Sequence, residues 1–177
     1  KNFLFGRLRR LSLGAADFAK KAGFYPFYKP IYETLRRPFY ELLCPRGIQC
    51  IEAEGMQIYV DGRDYVIASD LITYGSYEKE ESDFVCKYLE PGMVFADVGA
   101  NVGCFSLKAA RKVGAGGRVY AFEPDPHNFD LLSRSIRANH LSQVIPVPKL
   151  VSNQTTDCRF FLSPGVVSSA DWFSKWI

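Results

Sequence analysis

Two acidic residues each follow a short apolar run of the kind that forms a buried strand. Asp97 ends the run 93–97, and Glu123 follows the run 118–122. Where strands of this kind pair in parallel, their carboxyl ends meet at one edge of the sheet, and ligands collect there. A glycine-spaced turn directly follows the first acid. The sequence therefore predicts a ligand site made of Asp97, Glu123 and the loop residues Gly99, Ala100, Asn101 and Gly103.

The negative charge of Asp97 discriminates between two cofactors that such a loop could hold. A dinucleotide would place its pyrophosphate beside this carboxylate, and a like-charge contact at short range is unfavourable. The loop also lacks the G-x-G-x-x-G spacing of dinucleotide-binding folds. S-adenosylmethionine removes the conflict, because it carries an ammonium group, a carboxylate and a ribose. A nicotinamide-dependent oxidoreductase remains an alternative, because Glu123 fits the ribose-binding acid in both cases.

Each part of S-adenosylmethionine has a predicted partner in the chain. Asp97 would hold the ammonium group, directly or through water, and the loop amides with the helix start would receive the carboxylate. Glu123 would accept hydrogen bonds from both ribose hydroxyls, since a carboxylate has two acceptor oxygens. Asn101 either contacts the cofactor or only adopts an unusual backbone conformation in the turn.

The elements that must position these residues alternate between strands and helices. Asp125-Pro126 is a strong helix start, because Asp can cap a helix and Pro is favoured in its first turn. Pro146 and Pro148 each remove a backbone donor, so the third strand should lie at a sheet edge. Alternation of this kind predicts an α/β fold with parallel strands and right-handed crossovers. The predicted strands are 93–97, 118–122, 144–150 and 159–162, with helices over 102–113 and 126–138.

A further helix is predicted upstream of the first parallel strand, over residues 76–92. Its apolar residues recur at helical spacing, and Gly92 fits the end of the element. The residues predicted to share one side of this helix are Phe84, Val85, Tyr88 and Leu89.

The first part of the chain has two other patterns. Residues 48–68 alternate apolar and polar side chains around Glu54-Gly55 and Asp61-Gly62, which predicts a small antiparallel β-meander. Residues 1–47 are predicted to form a basic helical arm, with 10 basic and 3 acidic residues up to Arg46. We favour an arm that packs on its own domain over one that binds a membrane surface. Residues 48–177 would then form the cofactor-binding domain.

The sequence resembles the FkbM-type family of S-adenosylmethionine-dependent methyltransferases. The resemblance lies in "SYEKEESDFVCKYLEPGMVFADVGANVGCFSLKAA" and the following "RVYAFEPDPHNFDLLSRSIRANH", and it covers the chain from about Gln49 onward. It implies a Rossmann-like class I methyltransferase sheet and O-methylation of a hydroxyl on a sugar, glycolipid or secondary metabolite. It also matches the glycine loop and Glu123 to cofactor positions, and Glu78 to a recurring position.

The resemblance is incomplete towards the end of the sequence. Members of that family continue into a strand that ends in an acidic D-x-E-G segment, and residues 163–177 do not match it. The expectation is therefore an incomplete domain without its substrate floor, and no catalytic base is assigned. His127 is expected to be an exposed residue at a helix start, and His140 lies beyond that helix. A non-catalytic scaffold or membrane-surface module is a third hypothesis.

Composition adds expectations about partners and location. No apolar run reaches bilayer-spanning length, and no signal peptide opens the sequence, so a cytoplasmic protein with at most peripheral membrane contact is expected. Five scattered cysteines and two histidines provide too few ligands for zinc, so no metal is predicted. After Arg46 the chain carries 12 basic and 16 acidic residues. With no aromatic stacking platform flanked by basic residues, we expect a small-molecule or glycan acceptor and no nucleic acid.

Overall fold

The computed structural model describes residues 46–154 continuously and scattered positions between 18 and 42. Most of the predicted basic arm and the predicted strand 159–162 lie outside the described residues. None of the helices in the described part of the chain combines the length and apolarity that a bilayer-spanning helix requires. The division into an arm and a cofactor-binding domain stays a prediction.

The described residues form two sheets and the helices that cover them. A two-stranded antiparallel sheet is followed by a three-stranded parallel sheet. This confirms the predicted α/β class with parallel strands and a small antiparallel unit. The elements are β1 (Ile48–Ala53), β2 (Met56–Asp61), α1 (Ile67–Tyr74), α2 (Lys79–Tyr88), β3 (Val94–Val98), α3 (Cys104–Val113), β4 (Arg118–Phe122), α4 (Pro126–Ala138) and β5 (Val144–Val147).

The parallel sheet has the strand order β3-β4-β5, with β4 in the middle. Val119 and Ala121 of β4 are fully buried between the helices that join the strands. Pro146 of β5 lies opposite Ala121, and β5 pairs only with β4 among the described strands. The edge position expected from the two prolines is confirmed, because an edge strand needs only one row of backbone donors.

Helix α4 begins and ends where the sequence predicts. The Asp125 carboxylate accepts a hydrogen bond from the Asn128 amide at 2.7 Å, and Pro126 occupies the first turn. Of the residues predicted to face the sheet, Leu132 and Ile136 are buried and Phe129 is half-buried. The cap at Asp125 fixes the start of α4 two residues after Glu123, whose carboxylate contacts the glycine loop.

The predicted β-meander is only partly correct. β1 and β2 form a hairpin in which Ile51 pairs with Ile58, but residues 62–66 form turns in place of a further strand, and helix α1 begins at Ile67. The Asp64 carboxylate accepts hydrogen bonds from the amides of Val66 and Ile67 at 2.9 and 3.1 Å. A side-chain acceptor at this position satisfies the first donors of a helix. This local cap, together with burial of Ile67, overrides the alternating pattern.

Side chains of α4 satisfy the outer edge of the hairpin. The Tyr59 amide donates to the Ser135 hydroxyl at 2.9 Å. The Asn139 side chain accepts from the Gln57 amide at 3.0 Å and donates to the Gln57 carbonyl at 2.6 Å. A strand edge normally needs another strand for these bonds. Here helix side chains replace it and fasten the hairpin to the parallel sheet.

The predicted apolar side of the second helix is only partly correct, because Leu89 packs against the core whereas the two aromatic residues are exposed. Phe84 and Tyr88 are 62% and 61% exposed and contact each other edge-on, while Ser82 and Cys86 face the protein. A polar network explains this orientation. The Lys108 ammonium group of α3 donates to the Ser82 hydroxyl at 2.6 Å and lies 2.7 Å from the Glu54 carboxylate.

Candidate active site

Asp97 is the penultimate residue of β3, and its carboxylate points towards helix α3. The Ser106 hydroxyl donates to Asp97 Oδ2 at 2.6 Å, and the Ser106 amide donates to the same carboxylate. Burial raises the pKa of Asp97, and the bonds from Ser106 offset part of that effect. In the described part of the chain no cationic side chain forms a salt bridge with Asp97. The carboxylate is therefore an uncompensated acceptor that a cationic ligand would stabilise.

The glycine loop crosses from β3 to α3 in left-handed conformations. The φ angles of Gly99, Asn101 and Gly103 are 82°, 49° and 97°. A Cβ atom on Gly103 would lie 2.6 Å from Leu132 Cδ1, so this glycine permits close packing of the loop on α4. At Gly99 a Cβ atom would meet nothing within 4 Å. The two loop glycines therefore have different roles, one in packing and one beside open space.

The sequence predicts that the loop amides receive the cofactor carboxylate, but two of these amides already have a backbone partner. The amides of Gly99 and Ala100 both donate to the Phe122 carbonyl at 2.9 Å. Within the described residues, the amides of Cys104 and Phe105 at the start of α3 have no backbone partner. The first amides of a helix attract anions. Of the predicted carboxylate donors, those at the start of α3 therefore stay available, while the amides of Gly99 and Ala100 do not.

Glu123 is 4% exposed and holds the two strand-end loops together. Its Oε2 atom accepts from the Asn101 amide at 2.7 Å, and its Oε1 atom accepts from the Asp125 amide at 2.9 Å. Burial is the main reason that the pKa of Glu123 is raised, and the negative charge of Asp97 adds to it. Each carboxylate oxygen keeps one further lone pair, so hydrogen bonds from a ligand are still possible.

A cavity of about 230 Å³ joins most of the predicted site residues. Its lining includes two carboxylates, Asp97 and Glu78, and contains no Lys or Arg. The Oδ1 atom of Asn101 is buried and has no hydrogen-bond partner. Glu123 and Gly103 are outside the lining. The lining residues are Ile67, Tyr77, Glu78, Asp97, Gly99, Ala100, Asn101, Val102, Cys104 and Phe105.

Tyr77 is a lining residue that sequence reasoning missed. It is half-buried and directly precedes Glu78, which lines the same cavity. Burial raises the pKa of the Tyr77 phenol, and the neighbouring Glu78 charge raises it further. Glu78 itself has a left-handed backbone with φ 42°, directly before helix α2. The signal was present in the sequence as an aromatic residue followed by an acid immediately before a helix.

The chemistry of the cavity fits the cationic end of S-adenosylmethionine. The lining offers carboxylate and amide oxygens as acceptors, and an ammonium group has three donors and no acceptor. Pockets that enclose a whole ligand of this size usually measure about 300–1,000 Å³, so this cavity suits the amino-acid part. A pyrophosphate would meet two carboxylates here. The geometry therefore disfavours the nicotinamide alternative.

Neither histidine is near the cavity. His127, in the first turn of α4, lies 3.1 Å from the Asp61 carboxylate through its Nε2 atom. Asp61 is in turn bonded by the Arg63 guanidinium at 2.6 Å. His140 is exposed and follows α4. The described residues thus supply a binding site for a cofactor and no histidine base within it.

Comparison with known families identifies the domain. The model of the TRM5/TYW2 methyltransferase domain matches residues 56–166. The chain belongs to this family. The predicted class I methyltransferase and its cofactor S-adenosylmethionine are confirmed by this membership, whereas the finer assignment to the FkbM-type family is not supported.

Three similar proteins illustrate the extent of the likeness. The methyltransferase sdnD of Sordaria araneosa is 33% identical over 85 residues, which are 42% of this chain and 32% of that protein. Methanocaldococcus jannaschii TYW2 in complex with AdoMet has a TM-score of 0.45 and 23% identity, over 58% of this chain and 43% of that one. The tRNA m1G37 methyltransferase of the same organism has a TM-score of 0.43 and 25% identity, over 59% and 29%. The chain spans about a third of the length of sdnD.

The predicted partners are wrong. We expected a small-molecule or glycan acceptor and no nucleic acid, but the chain belongs to the TRM5/TYW2 methyltransferase family. The net charge after Arg46 misled the prediction. It sums over all residues after Arg46, and it carries no information about how charge is distributed over the surface on which an acceptor is bound.

Proposed function

We propose that this chain binds S-adenosylmethionine at the carboxyl ends of β3 and β4, as part of an enzyme that methylates RNA. One observation carries the cofactor part of the proposal: a cavity in a methyltransferase-family domain that offers acceptors for an ammonium group, among them Asp97, and lacks a basic side chain. Family membership supports RNA as the acceptor class.

The proposed binding roles follow from the geometry of each residue. Asp97 binds the ammonium group of the cofactor, and the first amides of α3, at Cys104 and Phe105, receive its carboxylate. Glu123 lies outside the cavity lining, and its proposed role as the ribose-binding acid rests on the lone pairs that its two hydrogen bonds leave free. Gly99 lies beside open space, because a Cβ atom at this position would have no neighbour within 4 Å. The absence of a side chain leaves this space free for a ligand.

The contribution of the chain to methyl transfer is mainly alignment. When bound, the cofactor supplies an electrophilic methyl group together with its own leaving group. The binding residues hold that group at the edge of the sheet, in a fixed orientation towards an acceptor. Orientation of this kind can lower a barrier by several kcal/mol, about 7–11 kcal/mol in the best-aligned cases. Cytoplasmic location, with peripheral membrane contact by the basic arm, stays a prediction.

Calorimetric titration with S-adenosylhomocysteine tests the cofactor part. Wild type should bind it and should not bind NADH, and Asp97→Asn should bind at least tenfold more weakly, because one charge-assisted hydrogen bond contributes about 1.5–3 kcal/mol. Asp130→Asn is the matched control, since Asp130 is an exposed side chain on α4 that pairs with Arg134 away from the cavity. Binding of NADH instead of S-adenosylhomocysteine would refute the cofactor assignment.

Transfer of radiolabelled methyl groups tests the acceptor part. The full-length protein is incubated with labelled S-adenosylmethionine and, in separate reactions, with total tRNA and with lipid and glycan extracts. Label should enter the RNA and become acid-soluble after ribonuclease treatment. Label found only in the lipid or glycan fraction would refute RNA as the acceptor and would leave the cofactor assignment intact.

A further inference from the structure

Glu78 and Tyr77 form a pair in the cavity wall that the binding roles above do not use. Both residues line the cavity that also contains Asp97. They are adjacent in the chain, Tyr77 is half-buried and Glu78 is solvent-exposed, so the pair lies where the cavity meets solvent. Within the described residues, Glu78 forms no salt bridge. Its carboxylate therefore faces the cavity region without a cationic partner.

The acceptor set of the cavity matches an ammonium group better than one carboxylate alone. An ammonium group has three N–H donors and needs acceptors for all of them when it leaves water. Asp97 provides one acceptor group, and the buried Oδ1 atom of Asn101 has no partner. Glu78 completes a set of three. A cation bound between the two carboxylates also offsets the repulsion between their negative charges.

We infer that Glu78 is a second carboxylate for the ammonium group of S-adenosylmethionine, and that Tyr77 is the residue that positions it. This inference rests on the proposed cofactor function. Glu78 lies directly before α2, and a carboxylate on a flexible side chain can turn to solvent. In this inference the hydroxyl of Tyr77 donates a hydrogen bond to the carboxylate of Glu78 when the cofactor is bound and restricts that motion, so the pair presents the charge in one direction.

A selectivity measurement separates this role from a structural one. The full chain is titrated with S-adenosylhomocysteine and with an analogue in which hydrogen replaces its amino group. Wild type should prefer the amino compound. In Glu78→Gln this preference should fall by about tenfold or more, the loss expected for one hydrogen bond to a charged group. Binding of the analogue should stay within about twofold, because it lacks the group that Glu78 contacts.

Matched variants complete the test. Glu80→Gln changes an exposed acid two residues further along, outside the cavity lining, and should leave the preference unchanged. Tyr77→Phe keeps the Glu78 charge and should lose a smaller part of the preference. It also decides the question if Glu78→Gln does not fold. An unchanged preference in both cavity variants overturns the inference but not the proposed function. A wild type that binds neither ligand overturns the proposed function itself.

Discussion

Gly103 and Gly99 lie in the same loop, but a methyl group added to each should have a different effect. In Gly103→Ala the new Cβ atom would lie 2.6 Å from Leu132 Cδ1 and 3.7 Å from Leu107 Cγ. Both leucines are 0% exposed, so neither can turn away into solvent. Overpacking a core costs about 1–3 kcal/mol, and a left-handed backbone costs a non-glycine residue about 1–2 kcal/mol. The free energy of unfolding should therefore fall by about 2–5 kcal/mol.

Gly99→Ala is the matched control, because it shares the left-handed backbone without the clash. Its φ angle is 82°, and its Cβ atom would meet nothing within 4 Å, so only the backbone cost of about 1–2 kcal/mol applies. Urea denaturation followed by circular dichroism measures both changes. The new methyl group of Gly99→Ala would enter the cavity, so this variant should weaken binding of S-adenosylhomocysteine more than it weakens the fold. Equal destabilisation by the two substitutions would refute the packing role given to Gly103.

Three further substitutions test other parts of the structure. Asp97→Asn should increase the free energy of unfolding without ligand in urea denaturation, because burial disfavours the charge that the substitution removes. Burial raises the pKa of Asp64 to about 6, so the folded state binds an extra proton between the unfolded value of 3.8 and that pH. The contribution of Asp64 to stability should therefore fall as pH rises from about 4 to about 6, and Asp64→Asn should flatten this part of a pH–stability profile. Asn139→Ala removes both bonds to Gln57 and should cost about 1–2 kcal/mol, with faster amide exchange at Gln57.

The parallel part of the fold could be predicted because its signals are local. Asp125-Pro126 contains both the cap and the first turn of α4, and the structure shows that cap at 2.7 Å. Pro146 and Pro148 exclude a central strand by a covalent property, the missing N–H, that no tertiary contact can restore. Elements of this kind are determined by a few adjacent residues, and here the structure agrees with them.

The two incorrect parts of the prediction depend on particular side-chain hydrogen bonds, one between near neighbours in the chain and one between distant residues. The alternation up to Ala68 indicated a strand, yet the Asp64 carboxylate caps a helix there. The apolar residues of α2 indicated a buried side, yet Ser82 faces the protein because it accepts a hydrogen bond from Lys108, 26 residues further along. Periodicity alone contains neither bond.

The sequence predicts which residues form the candidate site better than it predicts the hydrogen bonds between them. Asp97, Asn101 and Glu78 line one cavity, as a common site requires. The use of the Gly99 and Ala100 amides by the Phe122 carbonyl could not be predicted, because it depends on how closely the loop approaches β4. Tyr77 was also missed, since its role appears only when its hydroxyl is seen beside Glu78.

The double hydrogen bond of Glu123 makes one side chain the common partner of two distant amides. It protects the N–H groups of Asn101 and Asp125, which belong to different crossovers of the sheet. A ligand that donates a hydrogen bond to this carboxylate changes the electronic environment of both amides. A nuclear magnetic resonance signal from Asp125, 24 residues after Asn101 in the chain, therefore reports events in the glycine loop without a label placed there.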